Sequence, residues 1–302
     1  MAAQRALLSD GRWHFQHGPI DIVIGADGDA PSVEAAHAAA WRRFESVLDE
    51  LVAELPLLRQ PVLGPCPLLG GVARRMWWAC RPYHSVFITP MAAVAGAVAQ
   101  ELIASYQREG VDRAWINNGG DIALHLAPGR SLRVGLYADL ARLDPQQVRE
   151  GIDVDGHFDV SYATPVRGVA TSGWRGRSFS LGIADSVTVL ARTAAEADAA
   201  ATVIANAVNV EDARIVRRPA CELKDESDLG DIPVTVEVPP LGREAVLHAL
   251  HQGLGRAREL QASGLIWSAV LVCQGQVFTT DGPALAKGIP PARQHAVGSV
   301  FA

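Results

Sequence analysis

Apolar and polar residues alternate from the start of the chain: Trp13 and Phe15 against His14 and Gln16, then an apolar stretch at Ile20 to Ile24 after Gly18-Pro19. Period-two alternation broken by a Gly-Pro pair predicts a strand, a turn and a second strand over residues 11–26. The spacing then changes to a helical one. Ala36, Ala40, Phe44, Val47, Leu48 and Leu51 recur at three and four over Val33 to Leu55, with Pro31-Ser32 as a start and Pro56 as a stop. The Pro-, Gly- and Leu-rich stretch from Leu57 to Gly71 predicts an irregular connection. Thr89-Pro90 offers a cap and first-turn pair for a helix from Met91 to Tyr106, ended by Gly110. Its residues Ala92, Ala93, Ala95, Gly96, Ala97 and Ala99 give it a small face that admits a close neighbour, either a packed backbone or a flat ligand.

Further strands are predicted around Ala114-Trp115-Ile116 and Ile122-Ala123-Leu124, at Arg133 to Tyr137, at Arg167 to Thr171, at Leu181 to Ala191 and at Val234-Val236-Val238. Asp144 to Gly151 reads as a charged, exposed segment. Helices are predicted from Ala194 to Val208, with Thr193 and Glu196 as a capping box, and from Arg243 to Leu260. Ile266 to Phe278 closes the series as a strand pair around Gln274-Gly275. Strands and helices are interleaved with no linker and no internal repeat. The expectation is a mixed α/β (α+β) fold of sheets packed with helices, one domain over residues 1–302, with two intimately packed lobes as the variant.

Composition narrows the function classes. Hydrophobic residues make up 49% of the 302 and charged residues 20%, enough for a substantial core. A net charge of −6 without any basic run argues against a nucleic-acid surface. The start carries Asp10, Arg12 and His14 before any long apolar run, unlike a secretory signal, and Met91 to Ala99 is too short an apolar stretch to span a bilayer. A cytoplasmic protein without membrane or nucleic-acid partners is therefore expected. Cys66, Cys80, Cys221 and Cys273 form no Cys-x-x-Cys pair. His14 and His17 stand on opposite faces of a predicted strand, so they make a poor shared metal site.

Three short segments carry candidate chemistry. In Asn117-Asn118-Gly119-Gly120-Asp121, two glycines allow positive φ and close backbone approach, and Asp121 brings a carboxylate out of the turn. Two readings fit: an ordinary hairpin, or a turn facing a ligand. Asp198 and Thr202 are one helical turn apart in an alanine-rich stretch, so a carboxylate and a hydroxyl share a face, as a hard cation bridged to phosphate requires. Thr171-Ser172-Gly173 places two hydroxyls and a glycine at the end of a short apolar strand, a setting that suits phosphate or ribose.

The order of these segments resembles the ApbE superfamily, the flavin transferases that attach the FMN part of FAD to protein threonine or serine. The matching pieces are Ala92–Ala99, Asn117–Asp121, Ala170–Gly173, Ser186–Val189 and Ala197–Thr202. A closer likeness is to a cytoplasmic branch of that superfamily, carried by residues 88–97, by Gly182 to Ser186, and by the tail from Leu229 through Ile266. The resemblance runs from about Gly18 to Gly275. It implies an ApbE-like fold, a flavin-like or other phosphate-bearing ligand such as FAD, and Mg²⁺ at Asp198 and Thr202. Asn117, Asn118, Gly119, Gly120, Asp121, Thr171, Ser172 and Gly173 would bind the cofactor. The chain departs from the transferases in having Trp174 to Ile183 where they carry His-Ile-x-Asp-Pro-x-x-Gly, with no histidine between His157 and His248. It also has Ala95-Gly96 for their Lys-Gly, and Gln100 for the aspartate that follows. Transfer of FMN to protein is therefore not expected. The two functions in view are an enzyme of cofactor metabolism and a non-catalytic ligand-binding or scaffold protein.

Overall fold

A computed structural model describes residues 2–136 and 156–280. Thirteen strands are present among them. Nine form one sheet in the order β1 (Gln4–Leu7), β2 (Trp13–His17), β3 (Ile20–Gly28), β4 (Val111–Asn118), β5 (Asp121–Leu126), β8 (Gly168–Ser172), β9 (Ser186–Ala191), β12 (Ser268–Cys273) and β13 (Gln276–Thr279). Every neighbouring pair in it is antiparallel. β6 (Ser131–Leu136) and β7 (Gly156–Ser161) pair separately, as do β10 (Val216–Pro219) and β11 (Pro233–Glu237). The mixed fold expected from the pattern is thus present. The predicted segment Asp144 to Gly151 lies outside the described residues.

The sheet separates two apolar clusters. On one face pack the helices α1 (Ala30–Ala53), α3 (Gly71–Cys80), α4 (Val94–Ile103), α5 (Ala194–Ala207) and α6 (Arg243–Ala262), α2 being the short turn Leu55–Leu58. Ile22 and Ile24 of β3 meet Phe44 and Val47 of α1 there, all fully buried. On the other face, Leu132, Val134, Phe158 and Val160 of the β6–β7 pair cover Ile122, Leu124, Val169 and Leu190. The central strand β5 is consequently covered on both sides, Ile122, Leu124 and Leu126 facing one layer and Asp121, Ala123 and His125 the other.

Local signals explain most boundaries. Asp29 caps α1 by accepting from the Ser32 amide at 3.1 Å, and Pro31 sits in the first turn, where its missing N–H costs no helix bond. The Thr193 hydroxyl likewise accepts from the Glu196 amide at the start of α5. Two segments differ from expectation. The stretch predicted as one helix from Met91 to Tyr106 is an α-helix only over Val94–Ile103, with 3₁₀ turns on either side, and Thr89 does not cap it. Instead the Thr89 hydroxyl donates to Asp228, a contact made across the fold. α3 was not foreseen, although Val72, Ala73, Met76, Trp77 and Cys80 bury at helical spacing.

Candidate functional site

The Asn117–Asp121 segment forms the hairpin that the sequence allowed. Asn118 pairs with Asp121 across a two-residue hairpin loop in which Gly119 and Gly120 have φ of 68° and 112°. Positive φ at both positions matches the twist of the flanking strands and is strained for any other residue. The Asn117 side chain locks the turn by accepting from the Gly120 amide at 2.8 Å. Asn118 is aimed elsewhere, donating its amide to the Ala95 carbonyl at the start of α4.

Strand pleating sorts the predicted residues. Asn118, Asp121 and Ser172 share parity with Ile116, Ala123 and Ala170, which belong to the helix-side core. Asn117, the register partner of Ile122, and Thr171, two residues from Val169, lie on the opposite side. The Thr171 hydroxyl is accordingly bonded to Thr188 at 2.9 Å, and it is the Thr171 amide that meets Asp121, donating to Oδ1 at 3.2 Å. Gly173 is held close to the Asp185 carbonyl, which a Cβ would approach to 2.4 Å. Its role is tight packing of the chain beyond β8.

Asp198 projects from α5 toward the same helix-side end of β5. Gly96 donates its amide to Asp198 Oδ2 at 2.9 Å, in a crossing so close that a Cβ on Gly96 would lie 2.3 Å from the Ala194 carbonyl. Burial pushes the Asp198 carboxyl well above the usual carboxylate range, and the neighbouring Asp121 pushes it further, against the opposing Gly96 and Ala95 amides. Asp121 is itself raised to about 7, by burial, with the Thr171 amide opposing. The charge of Asp121 thus acts on Asp198, a partly buried carboxyl group from a different element. Neither has a cationic side chain as partner among the described residues, where no group of three metal-ligating His, Cys, Asp or Glu side chains occurs either.

Thr202 continues the Asp198 face of α5 by one turn and opens into a groove. Phe87, Thr89, Ala92, Phe179, Asn206 and Asp228 line it with Thr202, around an empty volume of about 360 Å³ that includes open solvent. No hydrogen bond joins Thr202 to Asp198, so the groove and the carboxylate pair are adjacent stations along one helix. Asn206, two turns from Asp198, accepts from the Leu181 amide at 2.9 Å and from Ser180, and so shapes the groove wall. The groove residues Phe87, Phe179, Asn206 and Asp228 were missed because they come from loops or from the next helix turn. Asn206 alone had a signal, continuing the i, i+4 stripe of Asp198 and Thr202.

Compared with known proteins, the chain matches the family model described as AbpE bacteria over residues 5–279. A UPF0280 protein of Methanopyrus kandleri is 36% identical over 209 residues, covering 68% of this chain and 78% of that protein. One from Methanospirillum hungatei is 38% identical over 208 residues, covering 67% and 77%. Among solved structures, the apo form of Pseudomonas stutzeri flavinyl transferase ApbE aligns with 95% of this chain and 96% of its own, with a TM-score of 0.41 and 12% identity. The ApbE protein of Thermotoga maritima aligns with 91% and 96%, with a TM-score of 0.38 and 14% identity.

Proposed function

The chain belongs to the family described as AbpE bacteria, which bears out the resemblance its motifs carry to the ApbE superfamily, and from that footing we propose that it binds a phosphate-bearing small molecule through Mg²⁺. A flavin-like cofactor such as FAD is the first ligand to test, and the setting is an enzyme of cofactor metabolism in the cytoplasm. One observation carries this reading: Asp121 is buried and Asp198 partly buried, close enough for the charge of Asp121 to push the Asp198 carboxyl up, and neither has a cationic side chain to balance it among the described residues. Two like charges forced together in a dry setting need protons or a cation.

The donor set fits a magnesium ion. Mg²⁺ takes one or two protein carboxylates, keeps several waters and completes its shell with phosphate oxygens, so a third acidic ligand is not required. When bound it would neutralise the carboxylate pair and polarise a phosphate oxygen. Gly96 and Thr171 each occupy one oxygen of a carboxylate and thereby orient the other. Ser172, on the same face as Asp121, supplies a hydroxyl at the strand end, and the Gly119–Gly120 turn lets a ligand approach the backbone. Thr202 would contribute its hydroxyl from the next helix turn. Phe87 and Phe179 give the groove apolar walls suited to the flat, ring-bearing end of a ligand.

Calorimetry and thermal-shift screening of flavins and nucleotides, with and without Mg²⁺, tests the reading. Asp198→Ala should weaken Mg²⁺-dependent binding at least about tenfold, or about 1.4 kcal/mol. Binding by Asp198→Ala equal to that of the parent protein would sink the site. A second reading, ligand binding without catalysis, is favoured by one feature, the segment Trp174 to Ile183 in place of the transferases' histidine-bearing one. Incubation with the ligand found, followed by mass spectrometry, separates the two: an enzyme alters the ligand, a binding protein returns it unchanged.

A further inference from the structure

The loop that stands in place of the histidine-bearing segment places a guanidinium over the Gly-Gly turn. Arg177 Nη1 lies 3.5 Å from where a Cβ on Gly119 would be, while over Gly120 the space is open. Arg177 is exposed and, among the described residues, makes neither a hydrogen bond nor an ion pair. Its neighbour Arg175 behaves differently, reaching Asp185 at 4.0 Å and lying over the Trp174 ring at 4.8 Å. The loop thus holds one arginine in the structure and leaves the other above the turn that ends in Asp121.

The separation of charges is informative. An arginine serving as counter-ion to Asp121 and Asp198 would pair with them, and Arg177 does not. The carboxylates remain available to a cation, and the guanidinium remains available to an anion on the same turn. A planar fork of N–H donors suits the oxygens of a phosphate group, which it can hold through two parallel hydrogen bonds. We propose that Arg177 is a specificity-determining residue that grips the phosphate or pyrophosphate group of the ligand over Gly119 and Gly120, opposite the cation held by the carboxylate pair. This rests on the cation-bridged reading above and narrows it to ligands with a terminal or diphosphate anion within reach of the turn.

The test uses the full chain with inorganic pyrophosphate and Mg²⁺ as the probe, and FMN against riboflavin as a matched pair with and without phosphate. Calorimetry should show Mg²⁺-dependent pyrophosphate binding that Arg177→Ala weakens at least tenfold and Arg177→Lys weakens less. FMN should bind more tightly than riboflavin to the parent protein, and Arg177→Ala should remove most of that difference. Mn²⁺ binding without anion, followed by electron paramagnetic resonance, should be unchanged in Arg177→Ala and reduced in Asp198→Ala. If the parent binds pyrophosphate with Mg²⁺, loses it in Asp198→Ala and keeps it in Arg177→Ala, the role of Arg177 is overturned while the cation site stands. If the parent shows no Mg²⁺-dependent binding of pyrophosphate or FMN, both fall together.

Discussion

At the scale of single residues, Asp121 is the group whose behaviour is easiest to measure. Its carboxyl is raised from an ordinary 3.8 to about 7, chiefly by burial, so the folded protein holds a proton that the unfolded chain has released. Between about pH 4 and 7 the folded state therefore binds more protons than the unfolded one, and stability falls as pH rises through that window. Thermal melts of the metal-free protein should decline from pH 5 to pH 8, and Asp121→Asn, which cannot ionise, should flatten that part of the slope. Mg²⁺ should oppose the decline most above pH 7, where the carboxylates are charged and can hold it. Equal slopes for parent and Asp121→Asn would place the titration elsewhere. The sequence named this residue and its helical counterpart Asp198. It did not reveal that Asn117 and Thr171 turn to the opposite face of the sheet, because that depends on strand register.

Among elements, the crossing of α4 and α5 controls the site. Both helices begin with small residues, and Gly96 lies where a Cβ would come 2.3 Å from the Ala194 carbonyl and 2.9 Å from Asp198 Cβ. Backbone on one side of that contact cannot swing aside as a flexible side chain could. Gly96→Ala should cost about 1–3 kcal/mol, as overpacking of a filled interior does, and should also displace the Gly96 amide from Asp198. Urea unfolding would show the first effect and a weaker Mg²⁺ response the second. A variant as stable as the parent would mean that the helices separate at little cost. The small face of α4 was legible in the sequence, and its function as a packing surface against α5 is now visible. The tightening of both its ends into 3₁₀ turns was not legible, since Thr89 leaves its cap position for a partner, Asp228, that lies far along the chain.

For the whole molecule, the large antiparallel sheet holds two apolar layers apart and brings the end of β5 under α5, so that segments widely separated in sequence share one corner. The loop from Trp174 onward reaches that corner with arginines and no histidine. The protein should therefore leave an acceptor peptide unmodified when incubated with FAD and Mg²⁺. Covalent FMN on the peptide, detected by mass spectrometry at a rate comparable to a true transferase, would overturn this. Among the described residues no helix is long and apolar enough to cross a membrane, as the short apolar stretches led one to expect. Periodicity marked most of the strands and helices, though not, for example, α3, β7 or β10, because alternation and helical spacing are local consequences of burying one side of an element. Motif order likewise pointed to the family and to Asp121 and Asp198. What only the tertiary structure decided was which side chains come together: Asp121 near Asp198, Thr202 with a groove of loop residues, and Arg177, unmarked in the sequence, with the Gly119 turn. Pleat parity, a glycine-sized helix crossing and long-range loop contacts set those meetings, and each depends on residues too distant along the chain for local pattern to relate them.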